Sequence, residues 1–187
     1  VIELDQSFKS NSQQKRLTAL YKATKIFQKK KLLAHLSNEY RDQLKNLHYS
    51  YEKKLNDLAI ALLSLTDSVT NQFFTLRSTN SDINCLIDIK KRIFINYETD
   101  TDLCELVKEL NIEIIKKSFP TKRNSDNQME KGLILLESLN LLEKGVSTEF
   151  KDLKLSLRML TKIGLIDLVN EISTELIALN ALKKMVL

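Results

Sequence analysis

Thirteen apolar residues fall within about 50° of one line when the chain is wound at about 100° per residue. They are Leu33, Leu36, Tyr40, Leu44, Leu47, Tyr51, Leu55, Leu58, Leu62, Leu65, Val69, Phe73 and Leu76. A strand alternates with period two and cannot produce this stripe. No Gly or Pro interrupts residues 12–77, so the pattern predicts one very long helix there, with a break possible near 29–32. The stripe alone would span roughly 65 Å at about 1.5 Å per residue.

Its steps mix elevens with sevens. Leu33, Leu44 and Leu55 are eleven apart, whereas Leu55, Leu62 and Val69 keep sevens. Sevens wind helices left-handed and elevens wind them right-handed, so the mixture predicts a nearly straight rod. Around Ala59-Ile60-Ala61-Leu62-Leu63 and Phe74 a second face also turns apolar. A helix apolar on two faces needs two partners, which predicts a bundle of three or more helices.

The remainder reads as further helices. Ser78-Thr79-Asn80-Ser81 is a cluster of helix-capping residues ahead of an apolar restart, which predicts a short helix over 82–96. Asp102 with Glu105 three residues on resembles a capping box and opens a second one over 102–117. Phe119-Pro120 ends it, and TKRNSDNQ over 121–128 predicts a flexible linker near 118–128. The C-terminal region, about 129–187, is helical again. Within it Leu139, Leu142, Val146, Phe150, Leu153, Leu157 and Leu160 step by threes and fours, and Gly145 and Gly164 mark bends or close helix contacts. After Gly164 the apolar positions spread around the helix, as suits a buried end or one awaiting a partner. Residues 1–11 carry no pattern and are expected to be a mobile lead-in to a single elongated helical domain over 12–187.

Composition strengthens the all-α reading. Three Gly and one Pro in 187 residues supply little of the turn punctuation that sheets and loop-built active sites need. No run of 18 apolar residues occurs, and the longest, Leu58–Leu63, has six, so no membrane-spanning helix is expected. Cys85 and Cys104 stand 19 apart without CxxC spacing. Two isolated cysteines in a helical chain predict buried, reduced thiols, and hence an intracellular protein.

Charge is uneven. Residues 1–55 carry 12 Lys/Arg against 5 Asp/Glu, and residues 56–187 carry 17 against 19. Lys15, Arg16, Lys22, Lys25, Lys29, Lys30 and Lys31 lie in a segment, 6–38, that contains no acid. Lys15, Lys22, Lys25, Lys29 and Lys30 share an arc of about 140°, with Leu17, Leu20, Tyr21 and Phe27 roughly opposite. This amphipathic basic helix is a candidate contact for anionic membrane or nucleic acid. Its spacing also suits a bipartite nuclear import signal, which favours nucleus over cytoplasm. The plainest reading is a solvated face. The apolar side of 17–27 lies about 180° from the stripe that begins at Leu33, so Lys29-Lys30-Lys31 marks a junction, beyond which the packing partner changes.

Candidate catalytic chemistry is sparse. His35 and His48 are thirteen apart, which does not align two metal ligands on one helical turn. The Gly-rich loops that cradle phosphates are absent. The expectation is a non-enzymatic chain with no metal, cofactor or small-molecule substrate. The stripe from Leu33 to Leu76 would pair with other protein subunits or with a second copy in a homodimer. Long leucine-striped helices without site chemistry are similar in type to subunits of intracellular multiprotein scaffolds, such as kinetochore, chromosome-axis, tethering or autophagy assemblies. The likeness is one of type and implies no residue roles.

Overall fold

The structure is a computed structural model that describes residues 2–47, 52–66, 78, 80–91, 102–117 and 128–186. It is all-α. The helices are α1 (Ile2–Phe8), α2 (Gln13–Lys29), α3 (Leu33–Glu39), α4 (Arg41–Leu47), α5 (Lys53–Leu63), α6 (Ser81–Lys91), α7 (Asp102–Lys117), α8 (Gln128–Leu141), α9 (Phe150–Lys162) and α10 (Ile166–Val186), with a 3₁₀ turn at Gly145–Ser147. Among the described residues there is no strand.

The single rod expected over 12–77 is corrected. The chain is divided there into α2, α3, α4 and α5, and the longest helix of the described residues, α10, has 21 residues. The first division falls at the lysine triplet. Lys31 adopts a left-handed backbone with φ 56°. The Lys31 N–H donates to Gln28 O at 3.1 Å and the Leu32 N–H donates to Phe27 O at 2.9 Å. These two bonds form the six-to-one and five-to-two pair that closes a helix C-terminus. The second division is a one-residue kink. The Tyr40 N–H still reaches Leu36 O and the Leu44 N–H reaches Tyr40 O, but Tyr40 itself sits at φ −103°, ψ 20°. Because the turns are short, α3 and α4 keep the phase of the stripe while the axis bends.

Tyr51, Val69, Phe73 and Leu76 of the stripe lie outside the described residues, as do 92–96 of the expected helix over 82–96 and 118–127 of the expected linker. The other nine stripe residues face the chain's own interior. Leu33, Leu36, Tyr40, Leu44, Leu47, Leu55, Leu58 and Leu62 are buried, and Leu65 packs against them partly buried. Leu17, Leu20 and Ala23 of α2 enter the same core, so the segments before and after the lysine triplet share one interior and do not pack on separate ones.

At the centre lies α5, buried continuously from Asp57 to Leu63 and packed against α2, α3, α4, α6 and α10. This is the two-faced helix that Ala59-Ile60-Ala61 implied. A second core joins Leu106 and Leu110 of α7, Leu153, Leu157 and Leu160 of α9, and Val169 and Leu176 of α10. Further along, α10 sends Ile177, Ala178, Ala181 and Leu182 into the first core, and so it ties the two together. Its apolar breadth after Gly164 belongs to a buried end.

Capping follows the residues that the sequence offers. The Ser12 side chain accepts from the Lys15 N–H at 3.4 Å. Asn80 Oδ1 accepts from the Asp82 N–H at 2.9 Å and the Ile83 N–H at 3.3 Å, and thereby starts α6. Gly145 and Gly164 have φ of 55° and 85° and no neighbour within contact of a Cβ placed on either. They are turn residues, not sites of close helix approach.

Two expectations are overturned. In place of a mobile lead-in, residues 2–8 form α1, which docks on α2. Leu4 is buried, Phe8 stacks on Tyr40 at 5.5 Å, and the Tyr40 hydroxyl donates to Asp5 Oδ1 at 2.8 Å. In place of two reduced thiols, Cys85 of α6 and Cys104 of α7 form a disulfide. Both sulfurs are buried among core side chains. Spacing along the chain gave no sign of this, because the two cysteines meet only where both helices enter the first core.

Candidate interaction surfaces

Three surfaces among the described residues stand out from an ordinary solvated exterior. The first is the basic face of α2. Lys15, Lys22, Lys25 and Lys29 are all exposed and occupy an arc of about 80° on the observed helix. Lys30 and Lys31 follow in the turn and are also exposed. Leu17 and Leu20 are buried on the opposite side, with Tyr21 and Phe27 partly buried against the core. Arg16 departs from the group: its Nε donates to Ser10 O at 2.8 Å, so the guanidinium closes the α1–α2 turn. Lys31 turns to a different environment, a groove described below. Thus five of the seven predicted basic residues present one surface. Lys15 and Lys29 fall in the first and last turns of a formed helix, which opposes reading in the extended form that an import signal takes.

The second surface was not singled out by sequence reasoning. On α8, Met129, Leu133, Leu136 and Leu139 are exposed along one face. Leu133 and Leu136 keep 64% and 66% of their surface in solvent, an unusual state for adjacent leucines on one helix face. The cause lies on the other side of α8. Ser138 and Ser156 are fully buried where α8 meets α9. The Ser156 hydroxyl donates to Ser138 O at 3.0 Å and the Ser138 hydroxyl donates to Ile134 O at 2.7 Å. With the serine side facing α9, the Met129–Leu139 side is left outward. The step pattern that ran from Leu139 to Leu160 hid this by treating two helices as one. The legible signal was that α8 carries two apolar faces separated by about half a turn, the second formed by Ile134, Leu135 and Leu141.

The third surface is an open groove of about 930 Å³ between the α2–α3 junction, the end of α5 and α10. Its floor includes Leu33, Leu65 and Ile89, and its walls carry Lys31, Lys144 and the acids Glu143, Asp167, Glu171 and Glu175. No His or Cys lines it. Among the described residues no group of three or more His, Cys, Asp or Glu is disposed to hold a metal ion. His35 is exposed on α3, and His48 lies outside the described residues. No helix of the described residues is long and apolar enough to cross a membrane.

Comparison with protein-family models, with curated proteins and with solved structures finds no match.

Proposed function

We propose that this chain is a non-enzymatic interaction module that pairs helices with itself or with other protein subunits in a larger assembly. The observation that carries this reading is the outward apolar face of α8. The stripe from Leu33 to Leu65 is used within the chain, so the pairing surface moves to Met129, Leu133, Leu136 and Leu139. A helix with a matching apolar stripe, from a second copy or another subunit, is the occupant whose chemistry suits it. Covering four such side chains removes apolar area from water at about 25 cal/mol per Å². The reading assigns no cofactor, metal or small-molecule substrate.

Placement inside the cell, and in the nucleus over the cytoplasm, belongs to the same proposal; it rests on the spacing of the basic residues alone, and the helical form of α2 weighs against it. The disulfide removes the support that reduced thiols would have lent it, since such bonds persist mainly in oxidising compartments.

Light scattering across a concentration series, joined to site-specific photo-crosslinking from position 133 in source cells, tests the pairing. The expected result is a mass above the 21.6 kDa of one chain, or a defined covalent adduct from position 133, either one abolished by Leu136→Glu. A single-chain mass with no more adduct from 133 than from exposed Lys151 overturns it.

A further inference from the structure

We propose that the outer face of α2, with the turn that follows it, is a docking surface for an anionic lipid bilayer. The proposal is independent of the α8 pairing. It starts from the exposed lysines at 15, 22, 25 and 29, which repeat along one side of a 17-residue helix and continue into Lys30. Among the described residues, Lys15, Lys25, Lys29 and Lys30 make no ion pair. Their charge is therefore available to an external anion.

The apolar content of the same surface decides which anion. Ile26 is 55% exposed and lies at the edge of the lysine arc, between Lys15 and Lys30 on the wheel, and Leu32, 46% exposed, follows the lysine triplet in sequence. Aliphatic side chains set among lysines match the boundary between headgroups and acyl chains, where the lysines meet phosphate and the aliphatics enter the apolar layer. The side chains by which proteins commonly hold nucleic acid are missing here. The one arginine of the segment stands outside the lysine arc, with its Nε held by Ser10 O, and Tyr21 and Phe27 pack inward. The surface thus offers no arginine fork for a base edge and no aromatic platform for stacking. An isoleucine and a leucine gain nothing against a phosphodiester backbone.

Co-sedimentation of the full chain with phosphatidylcholine vesicles, with and without phosphatidylserine, tests the proposal beside duplex DNA and single-stranded RNA. Binding is expected only to the phosphatidylserine vesicles and should weaken as salt rises. Reversing Lys15, Lys25 and Lys29 to Glu together should weaken it by at least about a hundredfold, given roughly 1 kcal/mol per basic residue at such a surface. Ile26→Ser leaves net charge unchanged and should still weaken vesicle binding several-fold. Circular dichroism of each variant checks that these exposed substitutions leave the helices formed. Three results overturn the proposal: no binding to anionic vesicles at low salt, vesicle binding unaffected by the triple reversal, or tighter binding to DNA or RNA that ignores Ile26→Ser.

Discussion

Lys184 Nζ donates to Asp82 Oδ2 at 2.8 Å, joining the last turn of α10 to the first turn of α6 across 102 residues of sequence. The Asp82 side chain is almost fully buried, whereas that of Lys184 is half exposed. Asn180 reaches the same oxygen at 3.4 Å. A carboxylate held out of water is costly unless it is paired, so the pair orients the end of α10 on α6. Lys184→Met keeps most of the stem and removes the charge. It should lower unfolding free energy by about 1–2 kcal/mol, below the usual cost of breaking a buried pair because water reaches Lys184. Urea denaturation of the variant measures this, and an unchanged midpoint would show that Asn180 alone satisfies Asp82.

The Cys85–Cys104 bridge closes a loop across a sequence separation of 19, which restricts the unfolded chain by about 3 kcal/mol. Calorimetry with and without reductant should show a lower Tm for the reduced chain. Thiol counting in denaturant without reductant should find no free cysteine. Two free thiols in protein from its native source would place the chain in a reducing compartment.

Asp57 lies on the buried side of α5. Burial pushes its carboxyl above the ordinary value of 3.8, against the opposing pull of the Ser78 side-chain hydrogen bond and the Lys53 charge. The folded chain therefore holds this proton more tightly than the unfolded one does. The stabilisation from that proton is complete below 3.8 and is lost as pH rises through the higher folded value. Asp57→Asn should accordingly stabilise the protein at neutral pH, since it removes the charge that burial disfavours. The gain should vanish in acid, and denaturation at the two pH values decides the matter.

Tyr40 gives a second pH signature. Burial, with the hydrogen bond to Asp5 and the charges of Asp5 and Glu39, pushes its phenol up to about 12. The unfolded phenol ionises near 10, so stability falls as pH rises from about 10 through the folded value. Absorbance titration should show this phenol ionising after ordinary ones, and Tyr40→Phe should remove that late step. The same variant should cost about 1 kcal/mol for the lost hydrogen bond.

Lys31 and Gly164 occupy the same left-handed position after α2 and α9, with φ of 56° and 85°. In both turns the next residue's N–H returns to the helix, Leu32 to Phe27 O and Leu165 to Leu160 O. A side chain in this conformation costs about 1–2 kcal/mol, partly offset by the greater entropy that glycine loses on folding. Lys31→Gly should stabilise the chain by about 0.5–1 kcal/mol, and Gly164→Ala should destabilise it by about 1 kcal/mol. Thermal denaturation of the two variants should move Tm in opposite directions.

The sequence by itself determined the all-α class, because the spacing of Leu33, Leu36, Leu44 and Leu55 satisfies only a helical period. It also marked helix ends wherever the end is a local backbone matter: Ser12 and Asn80 supply capping oxygens, and Gly164 accepts a positive φ. Tertiary structure decided the rest. The stop after Lys29 falls at the junction that the shift of the apolar face had marked, but the kink at Tyr40 carries no glycine or proline, and short helices in phase around one core leave the same apolar stripe as a single rod. Whether that stripe faced inward or toward another chain depended on α3 and α4 folding back on α5 while α6 and α10 covered α5 itself. The outward leucines of α8 depended on its serine side taking α9, and the bond between Cys85 and Cys104 on two helices meeting. Periodicity records which residues share a face, and only packing of the remaining elements determines what that face meets.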